Sequence, residues 1–275
     1  MEEDGKEWIR LEVRDAVCTL TLSAPGQLNA IHAPMMSELQ RHLEEVRDNA
    51  AIRALLLTGE GRAFCTGAHV GEMNGLEDKG EGIHRILDDG WNRVIRLIRS
   101  MPKPVVSAVN GIAAGGGVGL ALSADMVLAS RSARFIQVFG PRLGVIPDVG
   151  STWFLPQALG RARAMRLMLT GEPLAAEEAA SWGLIADCVE DADLMGKAFR
   201  LARDLSKGPI EAFAEIRKAV DRGLTCGLNT ALDHERDTNA RLAAEPAFTE
   251  GTSAFVEKRE PDFVHLSRKP HGSDQ

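Results

Sequence analysis

Three consecutive glycines, Gly115, Gly116 and Gly117, form the stretch best placed to do chemistry. An apolar, β-branched run from Val105 to Val109 precedes them and an apolar run of helical length follows, which predicts a strand, a turn and a helix start. Glycine lets the backbone approach a ligand closely, and the free N–H groups of a helix's first turn bind negative charge. An oxygen that becomes anionic during a reaction would be stabilised there. A glycine-rich helix start required only for close packing explains the segment equally well when it is taken alone.

A second glycine-rich segment runs from Gly59 to Gly71 and follows a buried strand predicted for Ala54 to Thr58. Its small side chains predict a loop with exposed amide groups. The triple glycine fits neither a phosphate-binding loop, which needs a following Gly-Lys-Ser/Thr, nor the dinucleotide fingerprint, which needs an early strand and a later acidic residue. The two glycine segments therefore have to be interpreted as a pair.

Together these segments resemble the crotonase family, also called the enoyl-CoA hydratase/isomerase superfamily. The resemblance covers nearly the whole chain, and the motifs that carry it are LNAIH at 28–32, AFCTGAH at 63–69, PKPVVSAVNGIAAGGGVGLALSAD at 102–125, LGVIPDVGSTWFLPQALG at 143–160 and FVEKREPDF at 255–263. The resemblance implies an α/β fold, a crotonase-like ββα spiral core with a C-terminal helical region that builds homotrimers or homohexamers. It also implies an acyl-CoA thioester substrate and no cofactor beyond the coenzyme A of that substrate.

The resemblance implies that the thioester carbonyl lies between two backbone N–H groups, one from each glycine loop. Matched motif to motif, these catalytic donors are Ala68, the residue after Gly67, and Gly116. Removing a proton α to a thioester makes an enolate, and pre-aligned donors stabilise its oxygen without reorganising solvent.

The acid or base that completes the site decides the reaction. The family's hydratases carry two glutamates, and the matching positions here are Gly119 and Gly140. Ordinary hydration is not expected, because adding water needs both a base and an acid. Asp148 occupies the place of the catalytic aspartate in several family isomerases, and its surroundings are most similar to the ring-1,2-epoxyphenylacetyl-CoA isomerases. One carboxylate suffices to take a proton from one carbon and return it to another.

Asp148 has a second interpretation, because it precedes Gly150 and Ser151 where an N-cap would stand. Sequence physics alone favours the cap, and the resemblance favours catalysis. In the catalytic interpretation, burial raises the pKa of Asp148 and makes it a better base near neutrality. The apolar neighbours expected to bury it are Val145, Val149, Trp153 and Phe154.

Coenzyme A is expected to follow the backbone of two segments, again from the resemblance. The predicted contacts are Leu28, Asn29, Ala30, Cys65, Gly67, Ala68, His69, Val70, Gly71 and Gly116, with Lys258 and Arg259 meeting phosphates, in some relatives across subunits.

Other side chains near these motifs keep two interpretations each. His69 is a substrate contact or a solvated loop histidine, and Glu72 is a reserve acid. Trp91 and Phe139 line an acyl pocket or, by default, belong to the core. Cys65 is expected to be a small side chain beneath the loop rather than a nucleophile, because adjacent His69 is its sole candidate partner. The histidines and cysteines form no recognisable metal-binding pattern.

Composition limits the classes of protein. The 275 residues are 44% hydrophobic with a net charge of -7, enough to bury one main core and unsuited to general nucleic-acid binding. No apolar run approaches the length of about 18 residues that a membrane helix needs, and the first residues lack a signal-peptide pattern. A soluble cytoplasmic protein is expected.

Periodicity predicts the elements that position these groups. Ile9–Val13 and Val17–Leu22 alternate as a hairpin, Pro34–Asn49 and Ile83–Met101 read as amphipathic helices, and 71–82 is a polar, glycine-rich candidate for a mobile lid. Helices are predicted for nearly every segment from Leu194 onward. We therefore divide the chain into a spiral core with the acyl-CoA site (1–193), a helical oligomerisation region (194–264) and a disordered tail (265–275).

The sequence predicts an acyl-CoA isomerase, acting on a ring-1,2-epoxyphenylacetyl-CoA or moving a Δ3 double bond to Δ2. Two rivals remain open. One is an enoyl-CoA hydratase or another crotonase reaction that uses an unexpected carboxylate. The other is a non-catalytic acyl-CoA-binding subunit that kept the pocket and lost both glutamates.

Overall fold

The structure, a computed structural model, describes residues 7–266. Its strands are β1 Ile9–Arg14, β2 Val17–Leu22, β3 Ala54–Gly59, β4 Ala63–Cys65, β5 Val105–Val109, β6 Ile112–Ala114, β7 Met126–Ser130, β8 Arg134–Ile136, β9 Leu174–Ala175 and β10 Asp187–Val189. Its helices are α1 Ala33–Asp48, α2 Val70–Asn74, α3 Lys79–Arg85, α4 Arg93–Arg99, α5 Gly116–Leu122, α6 Ser151–Thr170, α7 Ala176–Ser181, α8 Leu194–Ser206, α9 Ile210–Gly223, α10 Leu228–Leu242, α11 Pro246–Glu257 and α12 Phe263–Leu266.

Two sheets share the strands. A six-stranded sheet has the order β1-β2-β3-β5-β7-β10, and a four-stranded sheet has the order β4-β6-β8-β9. Strands β1 and β2 pair antiparallel, as the hairpin prediction required, and β2, β3, β5, β7 and β10 run parallel. In the smaller sheet, β4, β6 and β8 run parallel and β9 is antiparallel.

From β3 to β8, consecutive strands alternate between the two sheets. Strands β3, β5 and β7 lie in the larger sheet, and the strand that follows each of them lies in the smaller one. Helices return the chain to the larger sheet after β4 and β6, whereas α6 after β8 leads first to β9 of the smaller sheet. This repetition is the ββα spiral that the sequence predicted, and the parallel order brings the carboxyl ends of β4, β6 and β8 to one edge.

The central strands β3 and β5 of the larger sheet are buried on both faces. Leu55 and Leu57 join the main core, whereas Ala54 and Leu56 face a second cluster closed by α8. Burial on both faces explains why β3 reads as a continuous apolar run rather than as an alternating one.

The candidate lid segment 71–82 contains most of α2 and the start of α3, which begins where the Asp78 carboxylate accepts a hydrogen bond from the Glu81 amide at 3.0 Å. Its mobility stays a prediction. The helix predicted for Ile83–Met101 is confirmed as far as Arg99, and it contains a π-helical segment at Ile86–Asn92 between α3 and α4.

The C-terminal helices were predicted at 194–206, 209–222, 228–242 and 245–258, and the structure has each of them within one residue of these bounds. The predicted tail 265–275 starts inside α12, and its residues from 267 on lie outside the described ones. The division at residue 193 stays a prediction. Within residues 7–266, no helix is both long and apolar enough to cross a membrane.

Candidate active site

The two predicted donor loops lie backbone to backbone. One follows β4 and the other follows β6, which are parallel neighbours. A Cβ placed on Gly67 would lie 2.9 Å from the amide nitrogen of Gly116, and a Cβ placed on Gly116 would lie 3.6 Å from the Gly67 Cα. Gly67 also has a φ of +90°, which disfavours a side chain. Glycine at both positions is what lets the loops meet.

The amide of Ala68 is left available by a bridge that uses its neighbours. Ile31 donates from its N–H to the Gly67 carbonyl at 2.8 Å, and the His69 N–H donates to the Ile31 carbonyl at 3.0 Å. This parallel bridge fixes the peptide planes on both sides of Ala68. In residues 7–266, neither the Ala68 N–H nor the Gly116 N–H donates to a protein acceptor. Both can therefore serve a ligand oxygen.

The triple glycine is anchored and lined by apolar groups. Gly115, at φ +51°, donates its N–H to the Ile136 carbonyl at the end of β8, 3.0 Å away. The Trp91 ring lies 3.5 Å from the Cβ position of Gly116, and the Phe139 ring lies 3.7 Å from that of Gly115. Both aromatic side chains are buried, so they belong to the core and line this loop at once.

Asp148 lies in the turn that leads into α6, and its side chain does not cap the helix. Gly150 is the N-cap, without a side-chain cap bond, and the Ser151 N–H donates to the Asp148 backbone carbonyl at 2.9 Å. Oδ1 of Asp148 is buried and has no hydrogen-bond partner among residues 7–266. Burial raises the pKa of Asp148 to about 6. The N-cap interpretation therefore does not describe this carboxyl.

The expected burial of Asp148 by four neighbours is partly wrong. Val149 is buried and Phe154 partly buried. Val145 is 53% exposed, because the segment before Pro147 runs over the surface, and Trp153 in α6 is 38% exposed. Val149 extends a methyl group, Cγ2, to 3.0 Å from the Gly116 Cβ position. The residue next to Asp148 thus packs against the donor loop.

Cys65 and Asn29, both predicted to contact coenzyme A, have buried side chains with structural contacts. Burial raises the pKa of the Cys65 thiol to about 12, which removes it as a nucleophile. The Asn29 carboxamide accepts from the Ala24 N–H at 2.8 Å and donates to the Ala63 carbonyl at 2.8 Å. Any ligand contact by these two residues has to be made through their backbones.

The remaining predicted binding residues of the two segments lie around the donor bridge. Leu28 and Ala30 are partly exposed, and the Leu28 carbonyl accepts from the Thr66 hydroxyl at 3.2 Å. Val70 and Gly71 are exposed at the start of α2. Ile31, which anchors the Ala68 loop, was missed as a site residue although it lies in the LNAIH motif that signalled the segment.

His69 and Glu72 have specific environments. The His69 ring folds back to 2.9 Å from the Cβ position of Gly71, and its Nδ1 is buried without a partner in the described part of the chain. The Glu72 carboxylate accepts from the Ala33 N–H at the start of α1, at 3.1 and 3.3 Å. Glu72 therefore holds α2 to α1, which weakens its case as a reserve acid.

The predicted phosphate contacts lie on the C-terminal helices. Lys258 is exposed and ends α11 with a φ of +57°. Arg259 forms ion pairs with Glu250 and Glu257, each at 2.6 Å. A phosphate would have to compete with these carboxylates, and no hydrogen bond joins either residue to the glycine loops within residues 7–266.

Comparison with known proteins places these features in a family. Residues 12–266 match the family model described as enoyl-CoA hydratase/isomerase. The 1,2-epoxyphenylacetyl-CoA isomerase of Escherichia coli K12 is 43% identical over 264 residues, which covers 94% of this chain and 98% of that protein. The short-chain-enoyl-CoA hydratase of Clostridium acetobutylicum is 32% identical, covering 90% of this chain and 94% of the relative.

A solved structure of an enoyl-CoA hydratase also has the fold of this chain. The crystal structure of an enoyl-CoA hydratase from Polaromonas sp. JS666 superimposes with a TM-score of 0.87 at 31% identity, covering 92% of this chain and 98% of that one. Relatives with either reaction in their names thus share the fold, so the reaction has to be argued from this chain's own residues.

Proposed function

This chain belongs to the enoyl-CoA hydratase/isomerase family and has the crotonase-like fold, and we propose that it is an acyl-CoA isomerase in which Asp148 moves one proton. The observation that carries this proposal is the state of the Asp148 carboxyl. It is partly buried, one oxygen has no partner in the described residues, and its pKa is raised to about 6. A carboxyl that does not cap the helix, has an unpaired oxygen and has a pKa near neutrality is suited to take up a proton and to give it back.

In the proposed reaction, the thioester carbonyl accepts hydrogen bonds from the Ala68 and Gly116 amides. Asp148 removes a proton from the α-carbon, and the electron pair moves onto the carbonyl oxygen, which the two amides stabilise as an enolate. For a 3-enoyl-CoA the negative charge is shared with the γ-carbon. Asp148 then returns the proton there, and the double bond ends conjugated to the thioester. Nothing is added, and coenzyme A leaves with the product as it came.

Two substrate classes fit this proton transfer. One is a 3-enoyl-CoA, and the other is a ring-1,2-epoxyphenylacetyl-CoA, which the name of the Escherichia coli relative supports. Trp91 and Phe139 beside the donor loop supply an apolar wall suited to either acyl group. The missing carboxylates at Gly119 and Gly140 argue against hydration, which needs an acid and a base together.

The proposal is tested by supplying a 3-enoyl-CoA and following the absorbance of the conjugated 2-enoyl product. Wild type is expected to turn over, and Asp148→Asn is expected to lower kcat by roughly 10²–10⁴-fold while KM stays within a few-fold. Glu72→Gln is the matched control, because it removes the carboxylate of α2, the helix that follows the Ala68 loop, and keeps an acceptor for the Ala33 amide.

Other outcomes would favour the rivals. Equal turnover by wild type and Asp148→Asn would rule out the assigned base. Efficient hydration of a 2-enoyl-CoA would support a hydratase. Binding of acyl-CoA without turnover of any substrate would support a non-catalytic subunit.

The proposal includes assembly of identical subunits into a trimer or a hexamer. Large apolar side chains lie exposed along the C-terminal helices, and exposed patches of this kind mark contact surfaces. They are Ile216, Val220, Leu224, Leu228, Leu232, Phe248, Phe255 and Val256. Native mass spectrometry of the full chain tests this, and a monomer at micromolar concentration would contradict it.

A further inference from the structure

The Val149 backbone fills the space that a side chain at Gly119 would occupy. A Cβ on Gly119 would overlap the Val149 carbonyl oxygen and would lie 2.9 Å from both the carbonyl carbon and the Cβ of Val149. Real Cβ atoms do not approach backbone this closely, so the contact exists only because residue 119 has no side chain. The obstacle is main chain, and a rotamer change cannot relieve it.

Val149 packs on the face of α5 that contains Gly116 and Gly119. Residues three apart lie on the same side of a helix, and the Val149 methyl group reaches Gly116 while its carbonyl reaches Gly119. Two glycines therefore form a groove on the buried helix α5, and the turn 148–150 lies in it. The same glycine face carries the amide proposed as a donor.

The turn held in this groove is strained. Val149 has a φ of +53°, which is rare for a β-branched residue, and Gly150 follows with a φ of +78°. Such a conformation persists only where the surroundings over-determine it. Val149 is buried by contacts with α5, so the groove is what supplies that constraint.

From these contacts we infer that Gly119 is a positioning residue: it leaves room for the strained Val149 turn to pack on the donor loop, and that turn fixes the adjacent Asp148. This inference rests on the proposed function for the role of Asp148. A side chain at position 119 and the present 148–150 turn exclude one another, because the added Cβ would occupy the volume that the Val149 carbonyl fills. Glycine at 119 is thus a requirement of the isomerase site and not merely a lost glutamate.

The test is a double-mutant cycle of Gly119→Ala and Asp148→Asn with a 3-enoyl-CoA as substrate. Gly119→Ala is expected to lower kcat by roughly 10²-fold, as an ångström-scale misplacement of a catalytic group does, with KM within a few-fold. In the Asp148→Asn background the same substitution is expected to change kcat by less than about 3-fold, because both act through one carboxyl. The acid limb of the pH profile should also move below pH 6 in Gly119→Ala, as the displaced carboxyl regains solvent.

Gly196→Ala is the matched control. It adds the same methyl group inside helix α8, where its nearest neighbour is the flexible Arg200 guanidinium at 3.4 Å, and it is expected to leave kcat unchanged. Equal losses from Gly119→Ala in both backgrounds would overturn the inference, because a purely structural effect does not depend on Asp148.

A crystal structure of Gly119→Ala separates this inference from the proposed function. If Asp148→Asn keeps wild-type turnover, the proposed function fails. A displaced 148–150 turn in the Gly119→Ala crystal would still support the steric coupling between position 119 and this turn. An unmoved turn overturns the coupling whatever the activity.

Discussion

Gly67 and Gly116 meet so closely that the missing side chain of Gly67 leaves 2.9 Å between its Cβ position and the amide nitrogen of Gly116. They belong to different turns of the spiral, and the parallel pairing of β4 with β6 brings them together. Two amides from separate loops can therefore point at one oxygen without a side chain between them. In the proposed reaction, that oxygen is the thioester oxygen as it becomes anionic.

Replacing Gly67 with alanine is expected to lower kcat for isomerisation by roughly 10²–10³-fold, the cost of losing one oxyanion donor. The added methyl group would push Gly116 away from its position. Gly183→Ala is the control, because Gly183 has a similar φ of +81° but open space around its Cβ position. Steady-state kinetics of both variants check this, and comparable losses in kcat would mean that backbone strain, not donor geometry, is the cause.

The rate should fall in acid as Asp148 takes up a proton. Because the base must be ionised and burial raises its pKa to about 6, kcat/KM is expected to drop about tenfold per pH unit below that value. A profile measured from pH 4.5 to 8.5 tests this in enzyme shown to stay folded. An acid limb near pH 4 would place the base in a solvated site.

Asp148 is expected to destabilise the fold at neutral pH. Its folded pKa lies above its unfolded value, so stability is lost as pH rises from about 4 to about 6 and stays lost above that. Asp148→Asn should therefore raise the free energy of unfolding by about 1 to 2 kcal/mol at pH 7.5, after a discount for partial solvent access. The gain should vanish near pH 4. Denaturant titrations at the two pH values check the prediction, and an unstabilised variant at pH 7.5 would contradict it.

Arg217 ties helix α9 to the spiral through a largely buried guanidinium. It pairs with Asp125, donates to the Lys103 carbonyl at 2.8 Å and contacts the Met101 carbonyl, while Asp125 also accepts from the Val105 N–H at 2.8 Å. Arg217→Met leaves the Asp125 carboxylate, whose side chain is 20% exposed, without its cation, and is expected to cost about 2–3 kcal/mol of stability.

Arg236→Met provides the contrast for Arg217→Met. Arg236 bridges Asp233 and Asp237 on an exposed helix face, so its loss is expected to cost less than about 1 kcal/mol. Thermal or chemical unfolding of both variants makes the comparison. Similar losses in the two proteins would show that the Arg217 clamp contributes no more than a surface pair.

Local patterns and motifs predicted much of the fold and of the site. Alternation gave the β1–β2 hairpin, the apolar run gave β3, and the motif match brought Ala68 and Gly116 together. The short helices in 71–82 were not predicted, because glycine and charge mask a helical pattern there, although Asp78 caps α3. The π-helical segment Ile86–Asn92 left no break in an otherwise helical pattern.

What sequence patterns could not predict is contact between distant segments. The left-handed Val149 is a β-branched residue in a conformation that no local preference favours, and it follows from the groove on α5. In the sequence, Gly119 indicated only a missing glutamate, because Val149, which it contacts, lies in another turn of the spiral. Only the three-dimensional structure shows that a side chain at position 119 would collide with the Val149 backbone.

The bridge between Ile31 and Ala68 makes residues 28–31 part of the proposed donor site. Strands β4 and β6 pair without these residues, yet the hydrogen bonds of Ile31 fix the peptide planes on both sides of Ala68. A change that removes this bridge is therefore expected to lower turnover while the pairing of β4 with β6 persists.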